Sequence, residues 1–179
     1  GKDKIIMGMD VMGNNPKSER GEYFRNNVWW WRPLWEYCCE VDSTLHYRVP
    51  NGHSNDGDGL KTHEECLALA DMLLESLADG SALTYIKERD KRIAELEWDT
   101  CRQCEGVGIR TDKVGVEAGM PDQVLSEDIA ILVGRTKGTC NGCRGFGKTE
   151  PWESHYPLNE ENIREFAEFL QDCGGFSIC

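Results

Sequence analysis

Apolar residues recur along this chain at two spacings, and these divide it into elements. Ile5-Ile-Met-Gly-Met-Asp10-Val-Met suits a short strand, and the polar run from Gly13 to Arg20 suits a turn. Leu34, Cys38, Val41 and Leu45 follow at helical spacing. Pro33 fits the first position of that helix, where its missing N–H is harmless, so a helix is predicted over about 33–45. After the turn-rich Pro50–Gly59 comes Thr62-His-Glu-Glu65, which reads as a capping box: hydroxyl and carboxylate each satisfy an orphan backbone donor. Cys66, Leu69, Leu73 and Leu77 form the buried stripe of this second helix, and Gly80 ends it. Ser81 caps a third, carrying Leu83, Ile86, Ile93 and Leu96. Ser126–Val133 reads as a short capped helix. Asn159 caps the last one, with Ile163, Phe166, Leu170 and Cys173 on one face, and Phe176–Cys179 adds an edge strand. The pattern predicts an α+β class: a single compact, helix-rich domain of four to five helices with a small sheet.

Composition adds an interruption. Residues 1–100 carry a net charge of -7 and residues 151–179 a net of -5, whereas residues 101–150 are neutral, Gly-rich and bounded by cysteines. The predicted organisation is therefore a core of residues 1–100 and 149–179 with a module at 101–148 inserted before the last helix. The total of -12 argues against charge-driven binding to nucleic acid or anionic membranes. No apolar run reaches the roughly 18 residues of a membrane span. The opening residues lack the apolar stretch of a secretory signal, so the expected location is cytoplasmic.

The module carries the strongest chemical signal. Cys101-Arg-Gln-Cys104-Glu-Gly-Val-Gly108 and Cys140-Asn-Gly-Cys143-Arg-Gly-Phe-Gly147 both obey CxxCxGxG. Two residues between cysteines make a tight turn that aims both sulfurs at one point, and two such turns supply the four thiolates of a tetrahedral zinc ion. The glycines let the chain curl round the sulfurs with backbone N–H groups turned towards them. Closing the 105–139 loop costs roughly 3 kcal/mol, while structural zinc contributes on the order of 10–16 kcal/mol in small fingers. Four cysteine ligands leave no open position, so the expected cofactor is one structural Zn2+ per chain. Cys38, Cys39, Cys66 and Cys173 fall mostly on apolar helical faces and are expected to be buried free thiols, in keeping with a reducing compartment.

These residues resemble the cysteine-rich zinc module of DnaJ-type co-chaperones, in which CxxCxGxG repeats pair to hold zinc. The likeness covers residues 101–148 and one pair of repeats, and it implies Cys101, Cys104, Cys140 and Cys143 as ligands. The His-Pro-Asp motif of a J-domain is absent, so stimulation of a chaperone ATPase does not carry over. Separately, Met7-Gly-Met-Asp-Val-Met-Gly13 with Gly21–Trp35 resembles the opening of small uncharacterised proteins of bacterial and phage genomes.

Three further groups are candidates for function. Ser54-Asn-Asp56-Gly-Asp58-Gly59 with Glu65 imitates a calcium loop, but Ser54, Lys61 and the Pro50 and Gly52 before it depart from that pattern. His53, Asp56, Asp58 and His63 are also the residue types of a metal-assisted hydrolase or nucleotide-handling enzyme, against the plainer reading of a turn feeding a helix. Trp29, Trp30, Trp31 and Trp35, if the stretch is extended, alternate sides. They either pack beneath the helices as the main core or, with Arg25 and Arg32, form a protein-binding anchor. Arg102, Arg110, Arg135 and Arg144 surround the module and would serve nucleic-acid binding if they shared a face. The leading expectation is a non-enzymatic interaction protein, a small bacterial or phage factor that regulates or blocks another macromolecule.

Overall fold

The computed structural model describes residues 8–55 and 57–179. In chain order the elements are β1 (Gly8–Gly13), β2 (Tyr23–Asn27), α1 (Val28–Val41), α2 (Leu45–Arg48), β3 (Gly57–Asp58), α3 (His63–Ala78) and α4 (Ser81–Ala94). Then come β4 (Asp99–Thr100), α5 (Lys113–Glu117), α6 (Glu127–Val133), β5 (Lys148–Thr149), α7 (Glu160–Asp172) and β6 (Phe176–Ile178). The class is α+β and helix-rich, as the pattern predicts. The chain divides into two units, one within Gly1–Arg92 and His155–Cys179, the other Ile93–Ser154.

In the first unit a four-stranded antiparallel sheet has the order β2-β1-β6-β3. Val11 pairs with Phe24 on one side and with Ile178 on the other. β6 is therefore an interior strand, not the edge strand expected, because Phe176 and Ile178 are both buried and demand cover. The expected strand at the start is present as β1, although Ile5, Ile6 and Met7 lie outside the described residues.

The helices need two corrections. α1 starts at Val28, five residues before Pro33, because the Asn27 side chain accepts the Trp30 N–H at 3.1 Å and caps the helix there. Pro33 is inside the helix, at the cost of one backbone bond near its start. The tryptophans are thus helical and do not alternate. Trp31 and Trp35, one turn apart, are fully buried and stacked at 5.6 Å, and the Trp31 indole donates to the Gly52 carbonyl at 2.7 Å. On α4 the buried face is Ala82, Ile86 and Arg89 while Leu83 is exposed, and the helix ends at Ala94, so Leu96 lies beyond it and is exposed too. Arg89 rotates inward because its guanidinium donates to the Tyr156 carbonyl.

α3 and α7 pack against each other, through Leu69, Ala70 and Leu73 on one and Ile163, Phe166 and Leu170 on the other. Phe166 is the centre of the aromatic core: Phe24 lies 5.2 Å away and Trp31 5.3 Å, and Phe169 and Phe176 also touch it. The Asn159 cap is present, its carboxamide accepting the Asn162 N–H at 2.8 Å. So is the Thr62–Glu65 capping box.

Phe166→Ala should cost about 3–5 kcal/mol in denaturant unfolding. Burial works to raise the Glu65 carboxyl, but N–H donation from Thr62 and Lys61, the Thr62 hydroxyl and Arg48 outweigh it and hold the group below the usual 4.5. A depressed folded value stabilises above 4.5 and is lost as pH falls through it. Glu65→Ala should therefore cost about 1 kcal/mol at pH 7, and melting curves should show the gap to wild type closing as the pH drops below that value.

Candidate metal centre

The unit Ile93–Ser154 buries almost nothing apolar. Its core is Cys101, Cys104, Cys140 and Cys143, to which Leu125 and Pro151 add the other buried apolar side chains. Val107, Val114, Val116, Val124, Ile131 and Leu132 are all more than half exposed. A segment of this kind lacks the hydrophobic burial that offsets chain entropy, so something else must hold it.

The four sulfurs lie within 4.8 Å of one another. Cys101 and Cys140 are 3.9 Å apart at Sγ, and Cys104 and Cys143 are 3.6 Å apart. These are far from the 2.05 Å of a disulfide, and all four are free thiols. A tetrahedral ion with metal–sulfur distances of about 2.3 Å spaces its ligands about 3.8 Å apart. The sulfurs therefore fit one metal ion, and among the described residues they are the one group of three or more side chains that does.

The backbone explains the motif residue by residue. In the first repeat Glu105, Gly106 and Gly108 have φ of 54°, 87° and 79°; in the second Arg144, Gly145 and Gly147 have 55°, 88° and 75°. The two turns are the same structure built twice. Each points N–H groups at its sulfurs. Gly108 donates to Cys104 Sγ at 3.1 Å, and Gly147 to Cys143 Sγ at 3.2 Å. Cys101 receives the N–H groups of Gln103 and Cys104, and Cys140 those of Gly142 and Cys143. The repeats also interlock. A Cβ on Gly108 would stand 2.4 Å from the Gly145 carbonyl oxygen, and one on Gly147 would stand 2.3 Å from that of Gly106. The last glycine of each repeat is thus required by the first glycine of the other. β4 and β5 pair beside them, with Asp99 opposite Thr149.

The thiols compete for charge. Burial raises Cys101, but the N–H donors of Cys104 and Gln103 outweigh it and bring the group down to about 7. Burial pushes Cys143 up to about 12 and raises Cys140 as well. Four thiolates can coexist here only beside a cation, whose charge would hold all four ionised.

One residue of the site carries no motif. Arg135 follows the left-handed Gly134 at the end of α6 and donates to the Val107 carbonyl at 3.1 Å and the Gly145 carbonyl at 2.6 Å. It clamps the two turns together from the segment between them. In the sequence it is one surface base among several, and nothing local marks it.

The other candidates fare differently. Arg110 is held by Asp112 at 2.6 Å and 2.9 Å and by Asn141 at 3.2 Å. With Arg135 engaged too, only Arg102 and Arg144 of the four arginines are exposed and uncommitted by a bond of this kind. His53 and Asp58 are exposed, and His63 is the first residue of α3, its Nε2 2.8 Å from Lys17 Nζ. Asp56 lies outside the described residues. Trp31 and Trp35 belong to the core and not to a docking face. Trp29 is 43% exposed and packs on Tyr156, Trp30 is half-buried, and Arg32 is exposed.

Comparison with protein-family models, with curated proteins and with solved structures returns no match to this chain.

The interlock gives a sharp expectation. Gly147→Ala should weaken metal binding by about 10–100-fold, because it displaces the turn and the N–H donor to Cys143. Competition with a chromophoric chelator measures this, and Phe146→Ala, which spares the backbone, should leave the affinity within about twofold.

Proposed function

We propose that the four cysteines hold one structural zinc ion and that the chain is a zinc-stabilised, non-enzymatic interaction protein. The observation that carries this reading is the pair of sulfur separations, 3.9 Å and 3.6 Å, in a unit with almost no other core. All-thiolate tetrahedral coordination suits zinc and iron, and the resemblance to the DnaJ-type zinc module favours zinc of the two. Four protein ligands exclude substrate from the metal, so the ion serves architecture. The free, buried thiols of Cys38, Cys66 and Cys173 fit a reducing compartment such as the cytoplasm.

What the ion builds is a surface. Val107 and Phe146 occupy the same place in the two repeats and both project outward, and Val124, Ile131 and Leu132 are 72–75% exposed. Exposed apolar side chains on a small ordered unit favour a protein partner. The flanks carry the negative charge, which would repel nucleic acid and suit a basic partner. A regulatory or inhibitory factor of bacterial or phage origin is the role this combination supports best.

Native mass spectrometry should find one zinc per chain. Chelation should collapse the dispersed amide signals of residues 93–154 in an NMR spectrum, and an unchanged spectrum without metal would overturn the structural role. For the interaction itself, a basic protein captured from bacterial lysate should be lost both on chelation and in Ile131→Asp/Leu132→Asp. Retention in both cases would remove the zinc unit from the binding surface.

A further inference from the structure

Two cysteines outside the metal centre meet in the core of the first unit. Cys66 stands in the first turn of α3, and Cys173 is the residue on which α7 ends. The two helices pack against each other, and both side chains are fully buried there. Thiol is hydrogen-bonded to thiol, and the Gly175 N–H faces both sulfurs. Two sulfurs that share one backbone donor lie side by side. The remaining cysteines of this unit are placed differently: Cys38 and Cys39 are consecutive in α1, and Cys179 is exposed. An apolar pair would fill the gap between α3 and α7 as well as Cys66 and Cys173 do. What the thiols add is the capacity to bond covalently across it.

The pair is chemically uneven. The Cys173 thiol lowers Cys66, and with the Gly175 N–H it outweighs burial. The same contact raises Cys173, and burial raises it further. The Cys173 proton has two acceptors in reach, Cys66 and the Leu170 carbonyl at 3.7 Å. Thiolate character therefore falls on Cys66, and the thiolate is the nucleophile towards an oxidant. Access comes from the chain that runs along Cys173–Gly175. The Asn14 N–H donates to the Gly175 carbonyl at 2.8 Å, that of Asn15 to the Cys173 carbonyl at 3.0 Å, and that of Lys17 to the Asp172 carbonyl at 2.8 Å. Residues 14–20 are exposed throughout. A strap held by backbone bonds and polar contacts, with little apolar burial, opens locally at far less cost than global unfolding. Its opening admits a small oxidant that the closed core excludes.

We propose that Cys66 and Cys173 form a redox latch: they rest as thiols, and hydrogen peroxide joins them in a disulfide that fixes the start of α3 to the end of α7. The Cys66 thiolate attacks one peroxide oxygen and the O–O bond breaks. The departing hydroxide takes up the proton that Cys66 had released and leaves as water, with Cys66 now a sulfenic acid. The Cys173 sulfur attacks the sulfenic sulfur, the S–O bond breaks, and the hydroxide takes the Cys173 proton as a second water. Two thiols are oxidised by two electrons, and one peroxide is reduced to two waters. The bond closes residues 67–172 into a loop that contains the whole second unit. Both cysteines belong to the first unit, so the latch does not rest on the metal reading.

The test treats full-length, zinc-replete protein with hydrogen peroxide, alkylates the remaining thiols in denaturant and maps the digest by mass spectrometry. A peptide crosslinked between Cys66 and Cys173 should appear, and dithiothreitol should remove it. The crosslinked chain should melt about 5–10 °C above the same sample after reduction, because the closed loop is long. In Cys66→Ala and in Cys173→Ala that gain should be absent. Each chain is compared with itself reduced, so a lower baseline in either variant does not disturb the reading. The proposal is overturned if Cys66 and Cys173 alkylate as free thiols after peroxide, or if only their sulfinic and sulfonic acids form. It is overturned equally if either is crosslinked to another cysteine instead, or if the crosslink leaves the melting temperature unchanged.

Discussion

Four sulfurs packed within 4.8 Å cannot all be ionised unless a positive charge stands among them, and cannot be replaced by apolar contacts in a unit that has so few. The chain between Ile93 and Ser154 converges on that cluster. The paired turns, the interlocked glycines, the β4–β5 pairing and the Arg135 clamp each bring sulfur or backbone to one point, and none of them buries appreciable apolar surface. The exposed valines, isoleucine and leucine of α5, α6 and the intervening chain are therefore free for another purpose.

The other unit is built on the opposite principle. Phe24, Trp31, Trp35, Phe166, Phe169 and Phe176 form one continuous aromatic core beneath α3 and α7, closed by a sheet with apolar side chains on its interior strands. Its specificity devices are caps: Asn27, the Thr62–Glu65 pair and Asn159 each begin a helix at a defined residue. One protein thus gathers four cysteines fit for a metal where the chain is polar, and relies on hydrophobic burial where it is not.

What could be read in advance depended on the range of the interaction. The cysteine repeats were legible because ligand spacing, turn and N–H···S contacts all fall within eight residues. The Thr62 and Asn159 caps were legible for the same reason. The start of α1 was not, because Pro33 is a strong local signal and Asn27 overrides it through one side-chain bond. The interior position of β6 depends on pairing with residues more than a hundred positions away, and Arg89 and Arg135 turn inward to carbonyls 67 and 10 positions off, beyond the reach of any local motif.

The pairing of Asp99 with Thr149, and of Cys101 N–H with the Gly147 carbonyl, places the chain's way into the second unit beside its way out. α7 and β6, which supply Phe166 and the interior strand, are synthesised only after that excursion. With metal bound, the excursion closes into a knot of fixed ends, and the search that brings α7 onto α3 is shortened from a long loop to a short one. Without metal the same search carries a mobile chain of some sixty residues. A metal held at the four cysteines would thus bear on how readily the aromatic core assembles, in a unit that contains none of those cysteines.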